Sequence, residues 1–528
     1  MGWFSNSLLL VLWVCSSAWA QTHRYMVFFT DKAGTPHTIT QPSTFLSDRA
    51  IQRRAKSMIA VNSDDLPVVP SYVSQVRATG AKAFFTTRWM NGVLIEATAA
   101  QLTAIQSLPF VSSTEYVAPN HRLLGGRSGD TRNMARTSLA SDTQLRMLTI
   151  DSMHADGLQG EGILIAVLDS GFPGVESTAA FQEMRDGGRI LMTQDFITNS
   201  SNIYQFDDHG TEVLSIIGAR DGNFSGGAPA SSFLLFVTED VPTEYRIEEY
   251  NWLFAAERAD SAGADIIQSS VGYSTFDDPA MNYATSDLNG TTAVVSKAAG
   301  WARDRGIIVV VSAGNEGGGS WQLITPPADV DGILSVGAVT SWGAKVSFSS
   351  TGPTVDGRIK PDVMAMGSGV SVINPFGAVV TVDGTSAAAP LVSSLVAGLL
   401  QRFPDMKPSA LVQSIKASAS QGDQPDNQIG YGIPGYLSVK NYLERQNWIS
   451  AYPNPVTSTL WLTVTPQLQP QRITIFDSMG KVVMNYELPE ITWSNSKIHV
   501  DVSALSSGIY ILRVDLPSAM TTFRFVKH

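Results

Sequence analysis

The sequence predicts an α/β protein built on a doubly wound, mostly parallel sheet, with a small α+β unit before it and a β-sandwich after it. Three observations predict this. Runs that are apolar at every position, such as Ile163-Leu-Ile-Ala-Val-Leu168 and Ile307-Ile-Val-Val-Val311, alternate with helical stretches, and strands buried on both faces belong to a parallel sheet covered by helices. Ahead of them, strands and helices alternate at shorter spacing in a split βαβ (ferredoxin-like) pattern. Near the end, short strands follow one another with turn signals between.

A length of 528 residues gives room for about three domains, and 44% hydrophobic with 16% charged residues describes a globular chain rather than a disordered one. A net charge of −11 with no lysine/arginine run argues against a nucleic-acid partner. Residues 1–20 carry an export signal: the apolar stretch Leu8-Leu-Leu-Val-Leu-Trp-Val14 is too short to span a bilayer, and Ala18 and Ala20 are small residues at −3 and −1. The only cysteine, Cys15, lies inside it, so the mature chain has no disulfide and no thiol nucleophile.

Residues 21–125 form the α+β unit, with strands over 25–29, 81–85, 93–97 and 113–117 and helices over 69–78 and 99–108. A polar stretch over 126–144 has no hydrophobic period and reads as an exposed linker. The parallel sheet occupies 145–446, with strands over 163–168, 233–237, 266–271, 307–311 and 333–336, helices over 246–262 and 291–305, and a closing helix over 437–446. The sandwich takes 449–528, with strands over 460–464, 473–476, 481–484, 498–502, 508–514 and 523–526.

In a parallel sheet, ligands bind beyond the carboxyl ends of the strands. There the first run ends in Asp169-Ser-Gly171, Asp207-Asp-His-Gly-Thr211 opens a helix over 212–219, and 307–311 runs into Ser312-Ala-Gly-Asn315. Asp383-Gly-Thr-Ser386 introduces a small, apolar helix whose Pro390 we place in the first turn, where no N–H is needed. Ser386 at that amino terminus is a candidate nucleophile, because unpaired N–H groups there receive negative charge; locally, a cap on a core helix would look the same. Of seven histidines, only His154 and His209 lie in this domain, and His154 precedes the first strand, which leaves His209 as the base and Asp169 as its orienting partner. The Asn315 side chain is a candidate oxyanion donor.

Together, Val167-Leu-Asp-Ser-Gly171, His209-Gly-Thr211, Ser312-Ala-Gly-Asn315 and Gly384-Thr-Ser-Ala-Ala-Ala-Pro390 resemble the subtilisin-like serine proteases, in the family's order of aspartate, histidine, asparagine, serine. One departure is Ala387, where many members have methionine. The resemblance implies a subtilisin-like catalytic domain and a serine endopeptidase with Asp169, His209 and Ser386 catalytic and Asn315 in the oxyanion site. It further implies that Ser270, Val271, Gly272, Ser312, Ala313 and Gly314 bind substrate, and that residues 21–125 are a prodomain, chaperone and inhibitor, that the enzyme removes.

No cofactor is needed for that chemistry and no metal site is assigned; structural calcium stays undecided, with Asp277-Asp278 and Asp329/Asp331 read as solvated turns. The Tyr452-Pro-Asn-Pro455 start, Ser507-Gly-Ile-Tyr-Ile-Leu-Arg-Val514 and the terminal Phe-Val-Lys resemble the sorting domains of the type IX secretion system of the Bacteroidetes, with a carbohydrate-binding sandwich as the rival. The implied partners are protein or peptide substrates, the chain's own prodomain and outer-membrane secretion machinery, and the implied location is secreted or cell-surface, reached through the periplasm. A catalytically idle subtilase fold acting as a binding protein is the alternative. An α/β-hydrolase esterase fails, because Gly384-Thr-Ser-Ala-Ala388 lacks the second glycine of the nucleophile elbow and the only histidines after Ser386 are His499 and His528 in the tail.

Overall fold

On one strand Ile165 and Val167 enter one core while Leu164, Ala166 and Leu168 enter another, and all five are buried. A strand apolar on both faces must lie in the middle of a layered structure. The structure, a computed structural model, describes residues 21–119, 141–447, 449–464, 470–487, 497–516 and 519–528. The predicted export signal, with Cys15, and the linker up to residue 140 lie outside the described residues.

The amino-terminal unit comprises β1 (His23–Phe29), α1 (Asp48–Ser57), α2 (Pro70–Ala78), β2 (Lys82–Thr87), β3 (Gly92–Ala97), α3 (Ala99–Gln106) and β4 (Val111–Pro119). Its sheet is antiparallel in the order β2-β3-β1-β4, the arrangement that two split βαβ units give. The next unit holds α4 (Asp142–Met147), α5 (Ile150–Ala155), β5 (Leu164–Asp169), α6 (Gln182–Asp186), β6 (Ile190–Asp195), α7 (His209–Gly218), the small hairpin β7 (Arg220–Asp221) and β8 (Phe224–Ser225), and β9 (Ser232–Val237). It continues with α8 (Ile247–Ala262), β10 (Ile266–Ser269), α9 (Val294–Asp304), β11 (Ile308–Ser312), β12 (Leu334–Val339), β13 (Val363–Met366), β14 (Val370–Ile373), β15 (Val379–Val382), α10 (Thr385–Arg402), α11 (Pro408–Ala417) and α12 (Tyr436–Asn447).

The central sheet has seven parallel strands in the order β13-β12-β11-β10-β5-β9-β6. Helices α7 and α10 cover one face and α8 and α9 the other. The amino-terminal sheet lies on the α8/α9 layer: Met26, Leu94 and Val117 share a core with Trp252 and Phe254, and Phe85 packs 5.0 Å from Phe196 and 5.5 Å from Phe254.

Beside this apolar contact stands a buried charge cluster. Arg54 of α1 reaches Asp65 and Asp260, each at 2.7 Å, Arg305 reaches Asp65 at 2.8 Å, and Arg53 and Arg88 also pair with Asp260. Helix α1 was not predicted from sequence, because its buried face carries Arg53 and Arg54 and shows no apolar period.

The expected linker is too long at its carboxyl end. Gln144 is buried in α4, donating to Ser371 O at 3.0 Å and accepting from Ser371 N at 2.9 Å, so the short polar helix belongs to the central unit. Asp329 is likewise no solvated turn: it is fully buried, accepts from Ser296 Oγ (2.5 Å) and Gly290 N (2.7 Å), and burial raises its pKa.

The tail adds β16 (Ile449–Tyr452), β17 (Thr459–Val464), β18 (Arg472–Phe476), β19 (Val482–Glu487), β20 (Lys497–Asp501), β21 (Gly508–Leu516) and β22 (Ala519–Lys527). They form two antiparallel sheets, β16-β17-β20 and β19-β18-β21-β22, around a core of their own that includes Leu460, Ile473 and Leu512.

Candidate active site

Asp169 is the last residue of β5, and its side chain is fully buried. Its Oδ1 accepts from Ser170 N (2.8 Å), Ser170 Oγ (3.2 Å) and His209 Nδ1 (2.7 Å). His209 opens α7, one turn earlier than the predicted helix start, and its side chain remains 33% exposed. Gly210 makes this approach possible: a Cβ there would lie 2.3 Å from Gly171 O and 3.0 Å from the Asp169 Cβ.

Asp207 ties the two loops together. Its Oδ1 accepts from His209 N at 3.0 Å and from Ser170 Oγ at 3.2 Å, a role that the residue's place in an Asp-Asp-His run did not disclose. Burial alone would lower the imidazole pKa, but the Asp169 carboxylate, with Glu212 and Asp207 behind it, outweighs this and raises it to about 9. His154, the other histidine of this unit, is occupied elsewhere, with Nε2 2.8 Å from Gly227 O.

Ser386 stands second in α10, after Gly384 and Thr385. Gly384 has φ +154°, and a Cβ on it would sit 2.7 Å from Ser386 Oγ and 3.7 Å from Asn315 Nδ2, so the hydroxyl and the amide nitrogen converge on the same small space. The amide is oriented by Thr385, whose N and Oγ1 both donate to Asn315 Oδ1 at 2.9 Å and so turn Nδ2 the other way.

Pro390 is not in the first turn. It is the sixth residue of α10, inside the helix, where it cannot donate to the carbonyl four residues back. That carbonyl is Ser386 O, and Ser270 Oγ donates to it at 2.8 Å. Thus the Ser270 hydroxyl, predicted to lie against substrate, is committed to the base of the serine helix.

Residues 270–272 follow β10, which ends at Ser269 rather than Val271, and 312–314 begin at the end of β11. The two segments meet at Thr325, a residue with no sequence signal: a Cβ on Gly272 would be 2.2 Å from Thr325 Oγ1 and one on Gly314 2.9 Å. Gly272 is exposed and Val271 and Gly314 are half-buried, while Ser312 and Ala313 are buried.

A buried carboxylate on a histidine, and a helix-terminal serine beside an amide donor, are the parts from which a serine acyl-transfer site is built. The chain belongs to the subtilase family, whose model matches residues 160–432, with the Peptidase S8 propeptide domain of Bacteroidota matching 24–133 and the secretion system C-terminal sorting domain matching 450–528. It is 30% identical over 277 residues to Subtilisin of Bacillus pumilus, across 51% of this chain and 88% of that protein. Against Subtilisin E of Bacillus subtilis the identity is also 30%, across 51% of this chain and 63% of the relative. Among solved structures, MycP1 of Mycobacterium smegmatis is 23% identical with a TM-score of 0.47, covering 58% of this chain and 87% of its own. The protein is therefore a serine endopeptidase made with a propeptide, and its tail marks it for export to the cell surface or the medium.

Proposed function

We propose that Ser386 is the nucleophile, His209 the proton carrier and Asp169 the group that holds the imidazole in its working tautomer. His209 Nε2 takes the Ser386 hydroxyl proton as Oγ attacks the peptide carbonyl, then gives it to the leaving amine, and a water repeats the cycle to release the acyl group. Asn315 Nδ2 and the Ser386 N–H receive the oxyanion. The observation that carries this is the convergence of Ser386 Oγ and Asn315 Nδ2 at Gly384, in a domain that also holds the 2.7 Å His209–Asp169 contact.

Residues 270–272 and 312–314 line the first specificity pocket and add no charge to it, which favours apolar or broad preference among protein and peptide substrates. The steps above run through these side chains without a cofactor or a metal. The chain passes through the periplasm under its signal, crosses the outer membrane under its tail, and loses residues 21–125 by cleavage near the stretch over 126–144.

Asn315→Ala should fold and bind substrate but lose roughly 10²–10³ in kcat, a magnitude carried over from the handling of this donor in subtilisin, a relative of this chain. Steady-state kinetics on the mature enzyme checks it. An unchanged kcat would overturn the oxyanion assignment.

A further inference from the structure

Glu239, two residues beyond β9, takes no part in the proton path. One of its oxygens accepts from Tyr273 Oη (2.7 Å) and Thr238 Oγ1 (2.6 Å), and its carboxyl also hydrogen-bonds to that of Glu248 in the first turn of α8. Glu248 and Tyr273 are each only 1% exposed. Two buried carboxyl groups in hydrogen-bond contact do not both ionise, so the pair keeps one proton.

Burial, with the Glu239 and Glu244 charges nearby, holds Glu248 well above the usual range, while Glu239 is pushed up only to about 7. Two hydroxyls already converge on Glu239 Oε1, so Glu239 is the acceptor of the pair and Glu248, the more strongly raised of the two, is the acid that donates. Burying two carboxyl groups is costly unless their oxygens are hydrogen-bonded, so the partners of the pair are what it holds.

It holds Tyr273. This residue directly follows Gly272, and its N–H donates to Pro326 O at 2.9 Å. Ser270, at the other end of the segment, is tied to Ser386 O. The Tyr273 hydroxyl is the sideways anchor of residues 270–272, joining the chain after β10 to the chain after β9. Thr238 N in turn donates to Asp169 O at 2.9 Å, so the anchor stands on the backbone beside the triad.

We propose that Glu239, kept in place by Glu248, is a positioning residue for peptide binding: by accepting the Tyr273 hydroxyl it fixes residues 270–272 at the depth an extended substrate needs to pair with them. The inference rests on the assignment of 270–272 to substrate binding made above. Its effect falls on the binding of extended peptides and spares acyl transfer, because Asp169, His209, Ser386 and Asn315 keep their own partners.

The test uses the mature enzyme with Tyr273→Phe, Glu248→Ala and Glu248→Gln, assayed on a tetrapeptide p-nitroanilide that spans the segment and on an acetylated single-residue ester that does not. Active sites are counted by labelling with a fluorophosphonate. Tyr273→Phe and Glu248→Ala should raise KM for the tetrapeptide roughly tenfold, with kcat within about twofold and the ester KM unmoved. Glu248→Gln, whose amide N–H replaces the acid O–H, should restore the KM. If Glu248→Ala fails to fold, Tyr273→Phe against Glu248→Gln still decides. An unchanged tetrapeptide KM in Tyr273→Phe, or a kcat loss shared by both substrates, overturns the proposal while labelled Ser386 leaves the active-site assignment standing. Wild type that takes no label at Ser386 overturns that assignment and the proposal with it.

Discussion

His209 lies against a fully buried carboxylate while a third of its own side chain faces solvent, and this asymmetry sets the acid side of the pH profile. The base must be neutral to accept a proton, and the unperturbed imidazole pKa of about 6.5 places that change near neutrality. The field of Asp169 raises it to about 9, so the charged form persists further into alkaline pH than the sequence alone suggests. Below the midpoint kcat/KM should fall about tenfold per pH unit, with the midpoint displaced above 6.5 towards 9; a pH–rate profile flat from 6 to 9 would contradict the assigned base. The same raised pKa stabilises the fold fully below about 6.5, and that contribution disappears as pH rises through about 9. The triad residue types were legible because few histidines compete, Asp169 ends an apolar run, and His209 and Ser386 each open a helix; the partners Asp207 and Thr325 were not, since their roles arise only where separate loops meet.

Helix α10 carries both an amino terminus aimed at the site and a proline that interrupts its ladder one turn later. The interruption is matched by Ser270, which donates to the Ser386 carbonyl that Pro390 cannot reach. Ser270→Ala should therefore lower stability by about 1 kcal/mol, the cost of a partly buried carbonyl left without its donor. Adding Pro390→Ala, which restores an N–H, should recover part of that loss; chemical denaturation of the two variants measures it, and a purely additive further loss would refute the pairing. Elements with a clear period were placed from sequence to within a few residues, as at α8 and β9. Helices α1 and α4 have no clear apolar period, because their inward faces mix Ala50 or Leu145 with Arg53, Arg54 or Gln144, whose burial is stabilised by partners such as Asp260 and Ser371 far along the chain. Pro390 was misplaced because its position relative to the helix start, rather than its residue type, decides what it does.

Across the whole molecule, three units keep distinct roles. The tail has its own core and holds none of the residues placed at the active site. Deleting residues 449–528 should leave peptidase activity in a refolded preparation but stop export in the native host; truncated protein in the medium would contradict the sorting role. At the other end, the described part of the prodomain ends with β4 at Pro119, and the prodomain grips the catalytic unit through an apolar face and the Asp260 cluster, contacts that do not run through the chain between them. The order of units was legible from changes in hydrophobic period, but this grip was not, because it pairs residues about two hundred positions apart. On this reading Ser386 itself makes the cut that separates the prodomain from the catalytic unit along the chain. Mass spectrometry of wild type and Ser386→Ala, each expressed without other proteases, decides it: wild type should give a shorter chain beginning within or near 126–144, and Ser386→Ala should remain one uncut chain, whereas the same cut in both, or in neither, would rule out self-processing by Ser386.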